Sequence, residues 1–568
     1  MRKAGIFVLA ICSLMMALDF AASAQEVALK PRPAASSPSP LAAKMDAYLS
    51  GIYKPGNPGA AVLVKAGGKT ILRKGYGMAD LELGVPVEPN MIFRLGSITK
   101  QFTAVGILML AEQGKLALTD DLSKFLPDYP LRGRTITIEQ LLTHTSGIKS
   151  YTDLEEWLPL LRKDMTVAEI ISLFKDKPDE FAPGERWLYC NSGYILLGAV
   201  IEKVSGMSYR DFVEKKIFEP LGMKRSYYDV TNRVIPGRVP GYQMGNAGFE
   251  NAPYLSMTQP YAAGSLMSTV DDLALWAESL LSGRLVKRET VERAWMPHVL
   301  KNGRSTGYGY GWFKSMYKGH RFIEHGGGVH GFITAMLFAP EDGVFVAILT
   351  NGIGGGRDPE AEAFRLATIA LGDPYVDPAP VPLPQKDLDR LVGVYINDQG
   401  VERYIIREGE RFVSQRKGSG KFILQPLSPT EFFFKDSLSR VVFRQNADGS
   451  IAGLEVSERI GPVDVYARKE KPLPAARREI TLDPALLDRL VGEYAITPEF
   501  TIIVTKENGR LMALATGQQK VELFPESETA FFLKIVDAQV VFTLDAAGKA
   551  VSLTLTQGGQ VLPAKKIK

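Results

Sequence analysis

Apolar side chains return at helical spacing after Ser97. Phe102, Val105, Leu108 and Met109 fall on one side of a helix over 97–113, and Gly114 stops it. The same periodicity predicts helices over 138–144, 166–175, 192–205, 209–215, 270–282 and 360–371. Elsewhere the period shortens. Apolar runs over 60–65 and 70–73, parted by Gly67 and Gly68, read as a hairpin, and 332–338 and 344–350 read as buried strands joined by a Glu341-Asp-Gly343 turn. Strands at both ends with helices between them predict an α/β layered domain whose first and last segments share one sheet.

Beyond residue 372 the pattern changes in kind. Residues 373–386 carry five prolines and no helical period, as a semi-rigid linker does. Leu388-Asp-Arg-Leu-Val-Gly-Val-Tyr395 then recurs as Leu487-Asp-Arg-Leu-Val-Gly-Glu-Tyr494. The offset of 99 holds for Ser428 and Ser527, Phe432 and Phe531, Phe443 and Phe542, and Leu454 and Leu553, which marks an internal duplication. Short alternating runs broken by turns predict a small antiparallel barrel or sandwich for each copy. The chain divides into a layered domain over 45–372, a linker over 373–387, a barrel-like repeat over 388–470, a linker over 471–486 and a second repeat over 487–568.

Composition narrows the function classes. Over 568 residues the net charge is +4 with no basic block, so no nucleic-acid partner is expected. Arg2 and Lys3, an apolar stretch over 4–18 and Ala22-Ser-Ala24 before Gln25 read as a signal peptide over 1–24. A flexible leader, rich in Pro, Ala and Ser, fills 25–44. The expectation is a secreted, periplasmic protein without a stable membrane span. Cys190 alone remains after cleavage, so no internal disulfide can form.

Three stretches can carry chemistry. Ser97 and Lys100 are three apart, which puts both on one helical face, with Ser97 at the N-terminus, where unpaired N–H groups favour a developing anion. A Lys deprived of solvent can take the hydroxyl proton, although an N-cap Ser and a solvated Lys would share this spacing. Tyr189 and Asn191 are two apart before an apolar helix, so they share one side of extended chain; a phenol with its pKa lowered by nearby cations can serve as acid or base, and an Asn amide can hold a carbonyl. A packed Tyr and a turn Asn would look the same. His325-Gly-Gly327, followed by Gly328, precedes a buried strand; such glycines mean close approach by a ligand or a neighbouring chain.

In their order and separations these motifs resemble those of the class C beta-lactamase-like, penicillin-recognising serine hydrolases: beta-lactamases, D-alanyl-D-alanine carboxypeptidases, D-aminopeptidases and related esterases. Surrounding stretches match too, among them Leu141-Leu-Thr-His-Thr-Ser-Gly147 and Gly307-Tyr-Gly-Tyr-Gly311, and the likeness spans roughly 45–372. It implies a beta-lactamase-like α-β-α layered domain ahead of the two barrels. It also implies that Ser97 forms an acyl-enzyme, that Lys100 and Tyr189 together activate it and relay its proton, and that Asn191 orients the substrate amide. The N–H groups of Ser97 and Gly328 would form the oxyanion hole, with His325 and Gly327 lining the substrate site. No cofactor and no metal are implied.

One motif departs from the beta-lactamases, which carry Lys-Thr-Gly where this chain has His325-Gly326-Gly327. An imidazole titrates near pH ~6.5, so a His-dependent limb is expected. Gly326 also lacks the hydroxyl that relatives direct at a substrate carboxylate. The expected substrates are therefore D-amino-acid peptides, amides or esters, peptidoglycan-derived ones among them. A carboxypeptidase or beta-lactamase is the alternative within the family, and a peptidoglycan-binding or beta-lactam-sensing protein with little turnover is the alternative outside catalysis. The duplicated tail is similar to that of the D-aminopeptidases, whose last domain reaches the active site, and reads equally as a docking appendage. His144 is expected to be packed or capping, and Cys190 to point away from its neighbours into packing.

Overall fold

The structure is a computed structural model that describes residues 39–568 apart from 246, 247, 436, 476, 498, 499, 517, 519, 558 and 559. The signal-peptide segment and most of the expected leader lie outside the described residues. Residues 40–44, assigned above to the leader, instead open helix α1, Pro40–Ile52. Met45 and Leu49 on this helix are fully buried, so it belongs to the core.

The layered domain is built on β1 (Ala60–Ala66), β2 (Lys69–Tyr76), α2 (Thr99–Glu112), α3 (Asn191–Ser205), α4 (Val270–Ser282), β3 (Phe313–Tyr317), β4 (His320–Val329), β5 (Phe332–Ala339), β6 (Val344–Thr350) and α5 (Pro359–Ala370). Its antiparallel sheet has the order β3-β4-β5-β6-β1-β2, so the two ends of the domain do meet, with Val62 opposite Ile348. Alternation along β1 sends Val62 and Val64 towards α1 and α5, and Ala61 and Leu63 towards the helical layer of α2, α3 and α4. With both faces covered, every residue of β6 is buried. The glycines of the third motif precede the buried strand β5, as expected above, and themselves lie within β4.

Each repeat closes into an eight-stranded barrel, from Gly393–Asn397 to Asp464–Lys469 and from Gly492–Thr497 to Gln560–Lys566. The duplicated residues are the barrel cores. Tyr395 Oη donates to Leu391 O at 2.7 Å, and Tyr494 Oη to Leu490 O at 2.6 Å. Phe432 meets Phe443 edge-on at 5.4 Å, and Phe531 meets Phe542 at 5.7 Å.

The first barrel is clamped onto the layered domain. Between its last two strands, the loop over 458–463 carries Arg459, which holds Glu324 of β4 through both carboxylate oxygens, at 2.7 and 2.6 Å, and lies over the Phe364 ring of α5. Ser315 of β3 donates to the same carboxylate at 2.5 Å. Both ionic side chains are nearly buried, 12% and 4% exposed, so removing one strands the other. Arg459→Met should therefore destabilise the protein by about 3 kcal/mol, while Arg459→Met with Glu324→Gln should recover most of that loss. Denaturant midpoints of the four proteins in this cycle check it.

Candidate active site

Ser97 sits in a one-turn 3₁₀ helix, Gly96–Ile98, that runs straight into α2, and Lys100 follows one turn later, fully buried. Tyr189 and Cys190 approach α3 in extended chain, so Cys190 turns inward, its thiol on Ile148 O at 3.2 Å, and Tyr189 and Asn191 face the other way. Asn191 is held by Ser150 Oγ on its N–H at 3.2 Å and by Thr152 Oγ1 on its amide nitrogen at 3.1 Å. His144 is packed, as expected, and it positions its neighbours. Its Nδ1 accepts the Cys190 N–H at 3.1 Å, and its ring lies 4.3 Å from that of Tyr189. His330 bonds Pro253 O and takes no part in the cleft wall.

Lys100 Nζ contacts Ser97 Oγ at 3.0 Å, Asn191 Oδ1 at 2.9 Å and Ala263 O at 2.9 Å. Burial drives its pKa down to about 7, against a small opposing pull from Cys190. As a free amine it can donate to Asn191 and Ala263 and turn its lone pair to the Ser97 hydroxyl, the geometry a general base requires. Tyr189 behaves differently from the expectation. Its hydroxyl is buried without a complete hydrogen bond, and burial raises its pKa, the Ser97 contact pulling the other way. It is a protonated phenol suited to giving a proton rather than a phenolate poised to take one.

The His325 expectation is also corrected. Burial first, then the charge on Lys100, lowers the imidazole pKa to about 3, so it is neutral at physiological pH. Nδ1 lies 2.6 Å from Gly326 O and Nε2 lies 3.0 Å from Tyr308 Oη. Since a carbonyl can only accept, Nδ1 carries the proton and Tyr308 donates to Nε2. The imidazole stands in the place of a cation without being one.

The three consecutive glycines have three separate reasons. A Cβ on Gly327 would lie 1.9 Å from Leu95 O, and one on Gly326 would lie 1.9 Å from Glu360 Oε1, whereas one on Gly328 would meet open space. Gly96 has φ +55°, and a Cβ there would lie 2.7 Å from Gly328 N. The Gly96–Ile98 turn and β4 thus touch through bare backbone, which sets the Gly328 N–H beside Ser97. The last pair between β3 and β4 is Phe313 with Glu324, so from His325 onward this edge of β4 is open to the cleft.

A family model described as Beta-lactamase matches residues 41–371. The chain belongs to the beta-lactamase family of serine hydrolases. Penicillin-binding protein 4* of Bacillus subtilis (strain 168) is 30% identical over 414 residues, 68% of this chain and 90% of the relative. Protein flp of Staphylococcus aureus (strain N315) is 28% identical over 301 residues, 52% of this chain and 59% of the relative. The octameric penicillin-binding protein homologue from Pyrococcus abyssi superposes with a TM-score of 0.54 at 28% identity, over 74% of this chain and 99% of that one. A second model, described as Domain of unknown function (DUF3471), matches 476–565, most of the second barrel.

In this family member the cleft over Ser97 measures about 770 Å³, and much of its outer wall comes from the first barrel: Asp398, Arg403, Arg416, Glu458, Ile460 and Asp464. Among the described residues none of the second barrel lines the cleft; that barrel's contact with the layered domain includes Gln560 on Glu155 at 3.2 Å. Sequence reasoning missed Glu360 and the 458–464 segment. Glu360 was legible only as the first residue of a helix, and nothing in the duplication says which copy docks or where.

These pKa directions predict the pH profile. Below pH 7 Lys100 carries its proton and has no lone pair for Ser97, so kcat/KM on an ester should rise through an apparent pKa near 7. His325→Gln should leave that limb in place, because the imidazole is already neutral there. Loss of the limb in this variant would assign the limb to His325 instead.

Proposed function

We propose that the protein is a secreted hydrolase that works through a Ser97 acyl-enzyme on esters, amides and D-amino-acid peptides whose reacting end bears no carboxylate. The observation that carries this is the buried Lys100 amine, 3.0 Å from Ser97 Oγ with its other contacts filled by Asn191 and Ala263. In the first step the Ser97 O–H proton passes to Lys100 as Oγ attacks the carbonyl carbon. The N–H groups of Ser97 and Gly328 receive the oxyanion, a contribution on the order of 3 kcal/mol per donor. The bond to the leaving group breaks, and that group departs with a proton relayed through Lys100 and Tyr189. Water then attacks the ester on Ser97, gives up a proton along the same path, and releases the acid and the free hydroxyl.

The third motif supports the substrate class. No hydroxyl can be added at Gly326 while Glu360 fills that space, and His325 supplies no positive charge, so a substrate carboxylate loses both partners. The segment over 1–24 supports export, and N-terminal sequencing of the protein from a periplasmic fraction should begin at Gln25. The 30% identity to a protein named for penicillin binding favours the second reading, a carboxypeptidase or beta-lactamase.

Full-length protein should release dye from a D-alanine anilide or a short-chain nitrophenyl ester, and Ser97→Ala should lower the rate by at least about 10³-fold. Absence of turnover on all such substrates would overturn the hydrolase reading. Rapid opening of a chromogenic cephalosporin would establish the second reading instead. A long-lived mass adduct on Ser97 without turnover would mark a binding or sensing protein.

A further inference from the structure

We propose that the cleft contains a subsite for a positively charged leaving group, and that the Glu360 carboxylate at the start of α5 reads that charge. The inference rests on the acyl-transfer reading of Ser97 and adds a substrate class to it.

Glu360 lines the same cleft as Ser97, Tyr189 and the glycines of β4. Its Oε1 takes the space that any side chain at 326 would occupy, so the glycine and the carboxylate require each other. Two observations put it on the leaving-group side. The departing atom must be protonated by Lys100 and Tyr189, so the leaving group lies towards them, and the charge of Glu360 acts on the Tyr189 phenol. Gly326 also lies two residues from the Gly328 N–H, on the His325 side.

The carboxylate has no counter-charge of its own. The guanidinium that acts on it, Arg459, is already bound by Glu324 through both oxygens. The remaining groups that act on it, Glu324 of β4, Asp358 at the head of α5 and Glu458 of the barrel loop, are all acidic. Farther out, Arg304 is paired with Asp398 at 3.0 Å, and Arg403 and Arg416 face Asp464. Burial raises the Glu360 pKa to about 7 against the pull of Arg459, with the neighbouring acids adding to the rise, as for a half-buried carboxylate without a partner of its own. An ammonium beside it would supply the missing charge and draw the proton off, whereas a carboxylate there would meet repulsion. Because Glu360 is ionised only above about pH 7, the preference for a cation should strengthen as pH rises.

The test uses three acetyl thioesters that share an acyl group and differ in the leaving thiol: thiocholine, its neutral isostere 3,3-dimethylbutanethiol, and 3-mercaptopropionate. Thiol release by the full-length protein at pH 8 is followed with Ser97→Ala as the blank. The expected order of kcat/KM is cationic, neutral, anionic, with roughly tenfold between the first two, the size of one partly screened charge contact. In Glu360→Gln the cation-to-neutral ratio should fall towards one, in Glu360→Lys the anionic thioester should overtake the cationic one, and in the unmodified protein the ratio should shrink at pH 6.5. A purely structural role for Glu360 would change all three rates together and leave the ratios alone. Equal rates for the three thioesters, or a ratio that survives Glu360→Gln, would overturn the subsite while leaving the hydrolase reading intact. Turnover of none of them, nor of the ester and anilide above, would overturn the acyl-transfer reading and the subsite with it.

Discussion

The active site depends on one close contact between two pieces of bare backbone. Gly96 of the turn that carries Ser97 lies against Gly327 and Gly328 of β4, and the Leu95 carbonyl fills the space a side chain at Gly327 would need. Thr334 of the neighbouring strand donates to that same carbonyl at 2.8 Å, so the turn is bonded to the sheet as well as packed on it. The contact determines where Ser97 stands relative to the open edge of β4. Every other element of the site is arranged around a serine already held in place.

The second determinant is dehydration. Lys100, Tyr189 and His325 lie in one buried patch with the rings of Tyr194 and Tyr308 beside them, and burial acts on each according to the charge it would carry. It lowers the amine and the imidazole and raises the phenol. The result, above about pH 7, is a set of three neutral groups: one with a lone pair facing the serine, one with a proton to give, and one that holds position. The same burial keeps Glu360 between its two protonation states, because Arg459 is committed to Glu324. The first barrel therefore does more than dock: its loop lines the cleft and, because Arg459 is committed to Glu324, leaves one carboxylate in the cleft without a partner of its own.

Much of this architecture was legible in the residues, and the exceptions have physical causes. The helical period marked α2, α3, α4 and α5 to within about two residues, because each presents an apolar face to the sheet or its neighbours. Ser97 with Lys100, and Tyr189 with Asn191, could be paired because helical and extended spacing are local rules. The glycine run was harder. Period and propensity place it before a strand, and it does precede β5, but that it lies inside β4 was not legible, since Leu95 and Glu360, which exclude side chains there, are distant in sequence.

The sequence by itself determined the layered domain, the duplicated barrels and the residues able to perform acyl transfer, since spacing, periodicity and repetition are properties of the chain. Only the tertiary structure decided their protonation states and the shape of the cleft. A lysine near neutrality, an uncharged His325, a protonated Tyr189 and an unpaired Glu360 all follow from what packs around them. Burial and the allocation of counter-charges are set by contacts between residues far apart in the chain, such as Arg459 with Glu324, and no local pattern records them.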